Sequence, residues 1–468
     1  MNRWTVSLRL LWLLAIITFI SSCNDESTTN RLAENQLVKN SNSKLIYDWL
    51  ELYLEIEKDL ANFRPNPTSR AIGYIGIAAY EAALPGMADY LSVENILAEY
   101  RTPLPNPYND AYWAGIITDQ VFWEVVLNHT YYRTFNYFLL HMSPAQIEQI
   151  ESFYQNKMDA LRSQISERRM NEAIARAETV SSAVIAYAQS DREGRDQVLE
   201  VEPLDYVPPK GEGLWQPTTP DFKNACHPYW RRVRTFVAPV DGVPLIEHAA
   251  YSEDPSSQFY QEAKEVYDRV ANLTDEDRWI AEFWSDDLVG VTFSPPARQI
   301  AIANQLIQIY ETDLETSLRF YLRLGLALND ASVICWGAKY VYNLERPVDY
   351  IRRLIDPNFN PIMGDAVGIT GQNPNFPAYP SGHSAFAGAG ASVFEQFFPN
   401  LIEFTDRCHE DETSFRGEPR TFATFRIMAE ENAYSRIPLG VHFRMDCDEG
   451  LRIGYEVGNL ITDFSLER

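Results

Sequence analysis

The sequence of 468 residues predicts an all-α fold with two packed helical bundles in one compact unit. Long segments rich in Ala, Leu, Ile, Glu and aromatic residues repeat apolar side chains at helical spacing. Glycine is scarce, with 22 residues, and the 27 prolines concentrate in the joints between segments, which is typical of helices joined by irregular loops. The segments expected to be helical are 44–62, 69–90, 109–140, 144–190, 255–288, 297–345, 383–398 and 445–467.

The first 22 residues have the features of a secretory signal peptide, because two arginines precede an apolar run from Leu10 to Ile20. The following Ser21-Ser22-Cys23 resembles the lipobox of bacterial lipoproteins, in which the chain is cut before the cysteine and the cysteine carries lipid. We therefore expect an exported chain that Cys23 anchors to a bacterial membrane, at the outer membrane or cell surface. An ordinary cleaved signal peptide with a nearby cysteine is the alternative.

The mature chain is expected to have four parts in order. Residues 23–43 form a flexible tether, about 44–190 the N-terminal bundle, about 191–254 a crossing loop and about 255–468 the C-terminal catalytic bundle. The crossing loop has too much proline for a helix but carries buried-type aromatic residues, so we expect it to be packed. No later apolar run approaches the about 18 residues that cross a bilayer.

Composition, charge and cysteine spacing exclude several classes of protein. The chain is 46% hydrophobic and 13% aromatic, which is globular rather than disordered or collagen-like. Its net charge of −25 argues against binding nucleic acid, and a small anionic ligand would need a local cationic pocket. The absence of a Cys-x-x-Cys pair argues against a structural zinc site. In an oxidising compartment, three pairings are open to Cys226, Cys335, Cys408 and Cys447.

Three segments carry the chemistry, and the first contains Lys339, Arg346 and Pro347. A step of seven residues is close to two helical turns, so both cations are expected on one helix face, about 10 Å apart along the axis. Pro347 is expected to end this helix just after Arg346. Taken alone, the segment is better described as two solvated basic residues.

The second segment is Ser381-Gly382-His383, which begins a helix of small residues. Ser-Gly at a helix start brings a hydroxyl group, free backbone amides and the positive end of the helix dipole to one point, which suits an oxyanion. Gly388 and Gly390 lower the intrinsic stability of this helix and therefore indicate close helix packing. A serine cap beside a surface histidine is the alternative.

The third segment runs from Ser435-Arg436 to His442 and Asp446. If the chain is helical from His442, Asp446 lies one turn later and can accept a hydrogen bond from Nδ1 of His442. The Nε2 atom is then left as a nucleophile or metal ligand. Together the three segments supply three cations and two histidines, which predicts a site for a tetrahedral oxyanion. The other five histidines show no ligand spacing and are expected to be surface or structural: His129, His141, His227, His248 and His409.

In order and spacing, the segments match Lys-x6-Arg-Pro, Pro-Ser-Gly-His and Ser-Arg-x5-His-x3-Asp. The sequence therefore resembles the superfamily that unites vanadium-dependent haloperoxidases with type 2 phosphatidic acid phosphatases and bacterial acid phosphatases. The resemblance implies the two-bundle fold of that superfamily, with vanadate as cofactor and phosphate able to occupy the same site. The length of the chain, its lack of spanning segments and its Trp336 and Phe376 favour the soluble haloperoxidase branch.

The resemblance also implies a role for each motif residue. His442 would bind vanadium, or attack phosphorus in a phosphatase, with Asp446 orienting its ring and His383 acting as general acid and base. An acidic residue, Asp286 or Asp287, would pair with Arg436. Trp336 and Phe376 would line the halide pocket, and Lys339 would polarise bound peroxide. The oxyanion would be bound by Lys339, Arg346, Ser381, Gly382 and Arg436.

The reaction that the resemblance implies is oxidation of a halide by hydrogen peroxide through peroxovanadate, with iodide or bromide expected rather than chloride. Because vanadate mimics phosphate, a soluble phosphomonoesterase with His442 as nucleophile is the alternative. A second alternative is a surface lipoprotein that binds a ligand without chemistry, although such a protein has no use for this set of residues. The sequence carries no sign of the organic substrate or of the oligomeric state.

Overall fold

A computed structural model describes residues 37–60, 62–103, 120–286, 288–399 and 403–468. Within these ranges the chain forms fourteen α-helices and one small antiparallel sheet. None of the helices described is both long and apolar enough to span a bilayer. The predicted signal peptide, Cys23, the first part of the tether, the first part of segment 109–140 and Asp287 lie outside the described residues.

Within the described ranges, each predicted helical segment contains at least one helix, and three further helices, of which one lies in the predicted crossing loop, fall outside the predicted segments. The helices before residue 200 are α1 (Lys44–Glu57), α2 (Asn66–Ala83), α3 (Gln120–Phe138), α4 (Pro144–Arg162), α5 (Glu167–Ser190) and α6 (Arg192–Leu199). Those after residue 255 are α7 (Gln258–Ala271), α8 (Asp275–Phe283), α9 (Pro295–Ile309), α10 (Leu314–Tyr342), α11 (Pro347–Leu354), α12 (Gly382–Phe397), α13 (Phe425–Tyr434) and α14 (Arg444–Asp463). The strands β1 (Phe404–Asp406) and β2 (Arg420–Phe422) pair between α12 and α13.

Three predicted segments are each broken into two helices, because polar residues inside them act as helix caps. The side chain of Asp313 accepts the backbone N–H of Thr316 at 2.8 Å and begins α10. Ser166 begins α5, and Thr274 begins α8, in the same way. A side chain that satisfies the free N–H groups of a first turn defines a helix start even within a periodic pattern.

The longest helix, α10, lies at the centre of the molecule. It packs against α2 on one side and against α12 and α14 on the other. Almost every residue from Leu314 to Lys339 is buried, as expected for a helix that is surrounded by other helices. One continuous apolar core therefore includes residues from both halves of the chain.

The stretch between α6 and α7 is packed, as its aromatic content predicts. Trp215 and Trp230 are fully buried. The carboxylate of Asp330 on α10 accepts the backbone N–H groups of three successive residues, Phe236, Val237 and Ala238, at 2.7–2.8 Å. These bonds fix the stretch to the central helix because they satisfy buried backbone donors that would otherwise have no partner.

Helices α12 and α14 approach each other closely through small residues. A Cβ atom on Gly388 would lie 2.8 Å from the carbonyl oxygen of Leu451, and one on Gly454 would lie 2.3 Å from that of Ala385. This contact agrees with the prediction for Gly388, whereas Gly390 packs against the side chain of Gln299 on α9. The close approach brings the first turns of α12 and α14 side by side, and these turns carry two of the three motif segments.

Candidate functional site

The first turn of α14 orients His442. Nδ1 of His442 donates to Oδ2 of Asp446 at 2.9 Å, as the spacing predicts. The helix itself begins at Arg444 rather than at His442, and the same Asp446 oxygen also accepts the backbone N–H of Phe443 at 3.0 Å. Because Nδ1 carries the proton in this bond, Nε2 presents its lone pair, and it accepts a contact from Arg346 Nη1 at 3.2 Å.

The prediction that one helix carries both Lys339 and Arg346 is wrong. Helix α10 ends at Tyr342, because Asn343 adopts the left-handed conformation with φ 49°. Pro347 starts α11 instead of ending α10, and proline suits the first helical position because its missing N–H needs no partner there. The carbonyl oxygen of the intervening Leu344 accepts the N–H of Ala378 at 2.9 Å, so it does not take part in a helix.

Arg346 reaches the site from this short connection. It is fully buried, with Nε donating to the carbonyl oxygen of Phe376 at 2.8 Å and Nη1 donating to that of Val441 at 2.9 Å. These two bonds join the loop before α12 to the third motif segment through one guanidinium group. Arg346 therefore holds the site together as well as supplying positive charge.

Lys339 is also fully buried, and its ammonium group points at the loop before α12. Nζ donates to the carbonyl oxygens of Pro377 and Ala378 at 3.0 Å each, and to that of Pro380. An ammonium group has three N–H donors, and these contacts use all three. With its donors used in this way, Lys339 would act on a bound anion through its charge and through the loop that it orders.

The start of α12 supplies the oxyanion geometry that the second segment predicts. Ser381 is the N-cap, and its side chain accepts the N–H of Ser384 at 3.4 Å. The backbone N–H of Ser381 donates to the carbonyl oxygen of Asp446 at 2.8 Å, which ties this turn to the first turn of α14. His383 is buried in the same turn, so the alternative of a surface histidine does not hold.

A cavity of about 170 Å³ opens onto these groups. Its inner wall includes Gly382, His383, Arg436 and His442, and Arg436 is fully buried there, with Nη1 donating to the carbonyl oxygen of Trp284 at 3.4 Å. Residues of the second and third motif segments therefore line one cavity, and the first segment reaches them through Arg346, whose Nη1 lies 3.2 Å from Nε2 of His442.

Trp336 and Phe376, which are expected to form the halide pocket, both line this cavity. Their ring centroids are 5.1 Å apart. The Lys339 ammonium group lies 5.5 Å from the Trp336 ring and 5.0 Å from the Phe376 ring, and the Arg346 guanidinium lies 4.8 Å from the Phe376 ring. The two rings thus cover the cations, which shields them from water and stabilises their charge.

Burial governs the charge state of the site. Burial, followed by the charges of Arg346, Lys339 and Arg436, holds the pKa of His442 well below its usual range, so the imidazole ring is neutral. Burial also lowers the pKa of the Lys339 ammonium group and raises that of the Asp446 carboxyl group. Each of these two charges favours the other, which partly offsets the effect of burial.

The donor set fits vanadate. Arg346 and Arg436 are buried cations, and the Gly382 turn adds backbone amides at a helix start, so a tetrahedral oxyanion finds donors on several sides. The neutral Nε2 of His442, oriented through Nδ1, is a suitable ligand for a metal centre. Among the residues described, no group of three or more His, Cys, Asp or Glu side chains is arranged to hold a metal ion.

Asp286 or Asp287 is expected to pair with Arg436, and the contacts described for Asp286 are with other residues. Asp286 instead contacts Arg298, a buried residue of α9, with 3.4 Å between Nη1 and Oδ1. His409 is 3.6 Å from the same oxygen. The other residue named in that expectation, Asp287, lies outside the described residues.

Sequence reasoning missed several residues of the cavity wall. Arg64 comes from the connection between α1 and α2, where Glu57 lies 3.6 Å from its Nε atom. Phe386 and Ser294 also line the cavity. No spacing could have revealed Arg64 or Ser294, because each comes from a segment far from the motifs in sequence.

The four cysteines that the structure describes are free thiols, so none of the three pairings open to them is formed. Cys226, Cys335 and Cys447 are buried. Burial raises the pKa of the Cys335 thiol to about 11, which keeps it protonated.

Comparison with known proteins finds similar sequences and structures. Residues 319–467 match a family model described as the VCPO second helical-bundle domain. The chain is 25% identical over 213 residues to vanadium chloroperoxidase from Curvularia inaequalis, and the aligned part is 35% of this chain and 35% of that protein. The match thus spans about a third of the length of that relative.

Solved structures extend the likeness along the chain. A structure described as the first bacterial vanadium-dependent iodoperoxidase is 25% identical, with a TM-score of 0.75 over 92% of this chain and 98% of that one. Holo-type and apo-type bacterial vanadium-dependent chloroperoxidase are each 16% identical, with TM-scores of 0.62 and 0.65. They cover 86% and 91% of this chain, and 93% and 98% of their own. At 16% identity the likeness shows the fold alone, and it confirms the predicted all-α architecture.

Proposed function

We propose that the chain belongs to the vanadium-dependent haloperoxidase family, as its three motifs predict, and that it oxidises a halide with hydrogen peroxide. The proteins that it matches are enzymes, in agreement with the prediction from sequence. The observation that carries the proposal is that His442, His383 and Arg436 line one cavity, with Arg346 Nη1 lying 3.2 Å from Nε2 of His442.

Vanadate, when bound, supplies a Lewis-acid centre at which hydrogen peroxide is activated. Nε2 of His442 would hold the metal, and Asp446 keeps that nitrogen unprotonated by accepting the Nδ1 proton. Arg346, Arg436 and the start of α12 would bind the oxygens. In the net reaction, hydrogen peroxide, a halide ion and one proton give hypohalous acid and water, with the halide oxidised by two electrons as the O–O bond breaks.

His383 is placed to move the proton that this reaction consumes. It lies at the start of α12 and lines the cavity, where a substrate oxygen would be within its reach. Trp336 and Phe376 line the cavity next to it, exclude water from the cations and form an apolar, polarisable surface for a halide. Iodide is the halide that we propose first, because the similar bacterial structure is that of an iodoperoxidase.

The test uses purified residues 24–468, assayed for iodide and bromide oxidation with peroxide and orthovanadate, and in parallel for aryl phosphate hydrolysis without vanadate. We expect vanadate-dependent halide oxidation that is lost in His442→Ala. His141→Asn is the matched control, since His141 is exposed and asparagine tolerates its positive φ of 68°. Hydrolysis that vanadate suppresses would establish the phosphomonoesterase instead, and inactivity in both assays would contradict an enzyme.

We also propose, from the sequence alone, that the domain is exported and lipid-anchored at Cys23. Residues 24–43 would then hold the catalytic domain away from the membrane. Cys23→Ser should release the protein into the soluble fraction of a bacterium that processes lipoproteins. An unchanged distribution between membrane and soluble fractions would contradict the anchor.

A further inference from the structure

A buried carboxylate that the mechanism does not use lies in the wall of the cavity. Asp286 lines the cavity together with His383, Arg436 and His442, and the residue is only 1% exposed. The site otherwise offers cations and hydrogen-bond donors to an anion. A carboxylate in that wall is unexpected, because it repels an anion unless a proton lies between them.

Asp286 is held by a buried cluster behind the cavity. Its Oδ1 atom is 3.4 Å from Nη1 of Arg298 and 3.6 Å from Nε2 of His409. The stronger contact of Arg298 is with Asp406, at 2.7 Å from Nη2 to Oδ2. Arg298 also lies between the rings of Phe283 and Trp284, 4.7 Å from each centroid. The cluster therefore fixes Asp286 in place while the charge of Arg298 is mainly balanced by Asp406.

The second oxygen of Asp286 is not bound by this cluster. Oδ2 is buried and accepts no hydrogen bond from any residue that the structure describes. A buried carboxylate oxygen without a donor costs free energy. A donor brought by the ligand removes that cost.

The other carboxylates near the site do not share this position. Asp446 does not line the cavity, and its Oδ2 is used by His442 and Phe443. Asp221 lines the mouth but is exposed, with Lys223 at 3.6 Å. Asp406 is behind the wall, where both of its oxygens accept hydrogen bonds. Among the described residues, Asp286 is the buried carboxylate of the cavity wall.

We propose that Asp286 makes the site selective for an oxyanion that carries a hydroxyl group, by accepting the O–H hydrogen bond of that group at Oδ2. The inference rests on the oxyanion site of the proposed function, but not on halide oxidation. At neutral pH, vanadate and phosphate keep at least one proton, whereas sulfate has none. The Asp286 carboxylate therefore repels sulfate, which has no proton to share. It can accept an O–H···O⁻ hydrogen bond from phosphate.

The test compares inorganic phosphate with sulfate as probes, by calorimetric titration of the vanadate-free protein at neutral pH. We expect the wild-type protein to bind phosphate at least about tenfold more tightly than sulfate, since the difference is one charge-assisted hydrogen bond. In Asp286→Asn the ratio should fall to within about twofold of one, mainly through tighter sulfate binding, because the amide can donate to sulfate. Circular dichroism checks that each variant is folded.

Asp406→Asn is the matched control, because it perturbs the same Arg298 without facing the cavity, and it should keep the wild-type ratio. A folded Asp286→Asn protein with an unchanged ratio would overturn the inference, as would equal binding of the two ions by the wild-type protein. Binding of neither ion by the wild-type protein would overturn the proposed oxyanion site and the inference with it. If Asp286→Asn does not fold, the ratio of phosphate affinity to sulfate affinity in the wild-type protein decides whether the inference stands.

Discussion

Individual side chains in this site owe their properties to burial more than to their chemical type. Lys339, His442 and Asp446 are almost completely buried, and burial shifts the pKa of each towards its neutral form. For His442 the shift is useful, since only a neutral imidazole can offer Nε2 as a ligand. For Lys339 the same effect makes its charge dependent on pH within the physiological range.

The lowered pKa of Lys339 predicts how anion binding depends on pH. A lysine carries its charge only below its pKa, so anion affinity is present at low pH and is lost as the pH rises through that value. Sulfate keeps the same charge throughout, and its affinity should fall by about tenfold between about pH 6 and pH 9. Calorimetric titration at several pH values measures this.

The raised pKa of Asp446 acts in the same direction, because deprotonation adds a negative charge as the pH rises. Lys339→Gln separates the two effects. Its sulfate affinity should be weaker at low pH and should change less with pH than that of the wild-type protein. An equally steep pH dependence in this variant would assign the effect to other groups.

Residues within the motifs could be predicted from sequence, and residues facing them could not. Asp446 was predicted to accept from His442 because a spacing of four residues fixes that geometry locally. The sequence predicts that Asp286 lies near the site. It does not predict the contact of Asp286 with Arg298, because that contact depends on how α9 packs. Arg64 could not be predicted, because only the tertiary fold brings the first helices to the cavity.

Among the elements, the pair α12 and α14 determines the geometry of the site. Gly450, Gly454 and Gly458 recur every four residues on α14, and each faces backbone or small side chains of α12. Without side chains between them, the two helices keep Ser381 hydrogen-bonded to Asp446. The distance between His383 and His442 is thus set by a helix contact remote from both side chains.

Gly454→Ala tests this dependence. The new Cβ would lie 2.3 Å from the carbonyl oxygen of Ala385 and 2.8 Å from the backbone nitrogen of Ala389, so the helices must separate. We expect a loss of about 1–3 kcal/mol in the free energy of unfolding and weaker phosphate binding. Denaturant unfolding and calorimetric titration measure the two effects.

Asn459→Ala is the control on the exposed face of α14, and it should change stability by less than about 0.5 kcal/mol. Normal stability and phosphate affinity in Gly454→Ala would show that the contact has room for a methyl group. Weaker binding in both variants would point to a general effect of altering α14.

The connection between α10 and α11 marks the limit of element prediction. The periodic pattern runs through Asn343 into Arg346, and the local signs of an end are Asn343, which tolerates the left-handed conformation, and Pro347, which disfavours helix in the residue before it. The end is also fixed by backbone bonds from distant residues: Trp215 donates to the carbonyl oxygen of Asn343 at 2.7 Å, and Ala378 donates to that of Leu344 at 2.9 Å. Tertiary hydrogen bonds add to local propensity here.

On the scale of the whole molecule, the shared central helix predicts one unfolding transition. The two predicted bundles would unfold separately only if few contacts joined them. Helix α10 packs against α2 and against α12, and Asp330 fixes the stretch between α6 and α7 to it. Scanning calorimetry should therefore show a single cooperative transition.

Bound phosphate should raise the midpoint temperature of that single transition. At a concentration of about 100 times its Kd it would add about 2.7 kcal/mol to the free energy of unfolding. Two resolved transitions, of which phosphate moves only one, would show that the bundles are separate folding units.

The three bonds from Lys339 to the carbonyl oxygens of Pro377, Ala378 and Pro380 also bear on speed. They hold the loop in its final conformation through contacts within the protein, so little conformational entropy of the loop is lost when an anion binds. Association then needs no loop closure and is limited by how fast the ion diffuses to the cavity mouth. On a molecule with a net charge of −25, that arrival is slowed at low salt and quickens as added salt screens the repulsion.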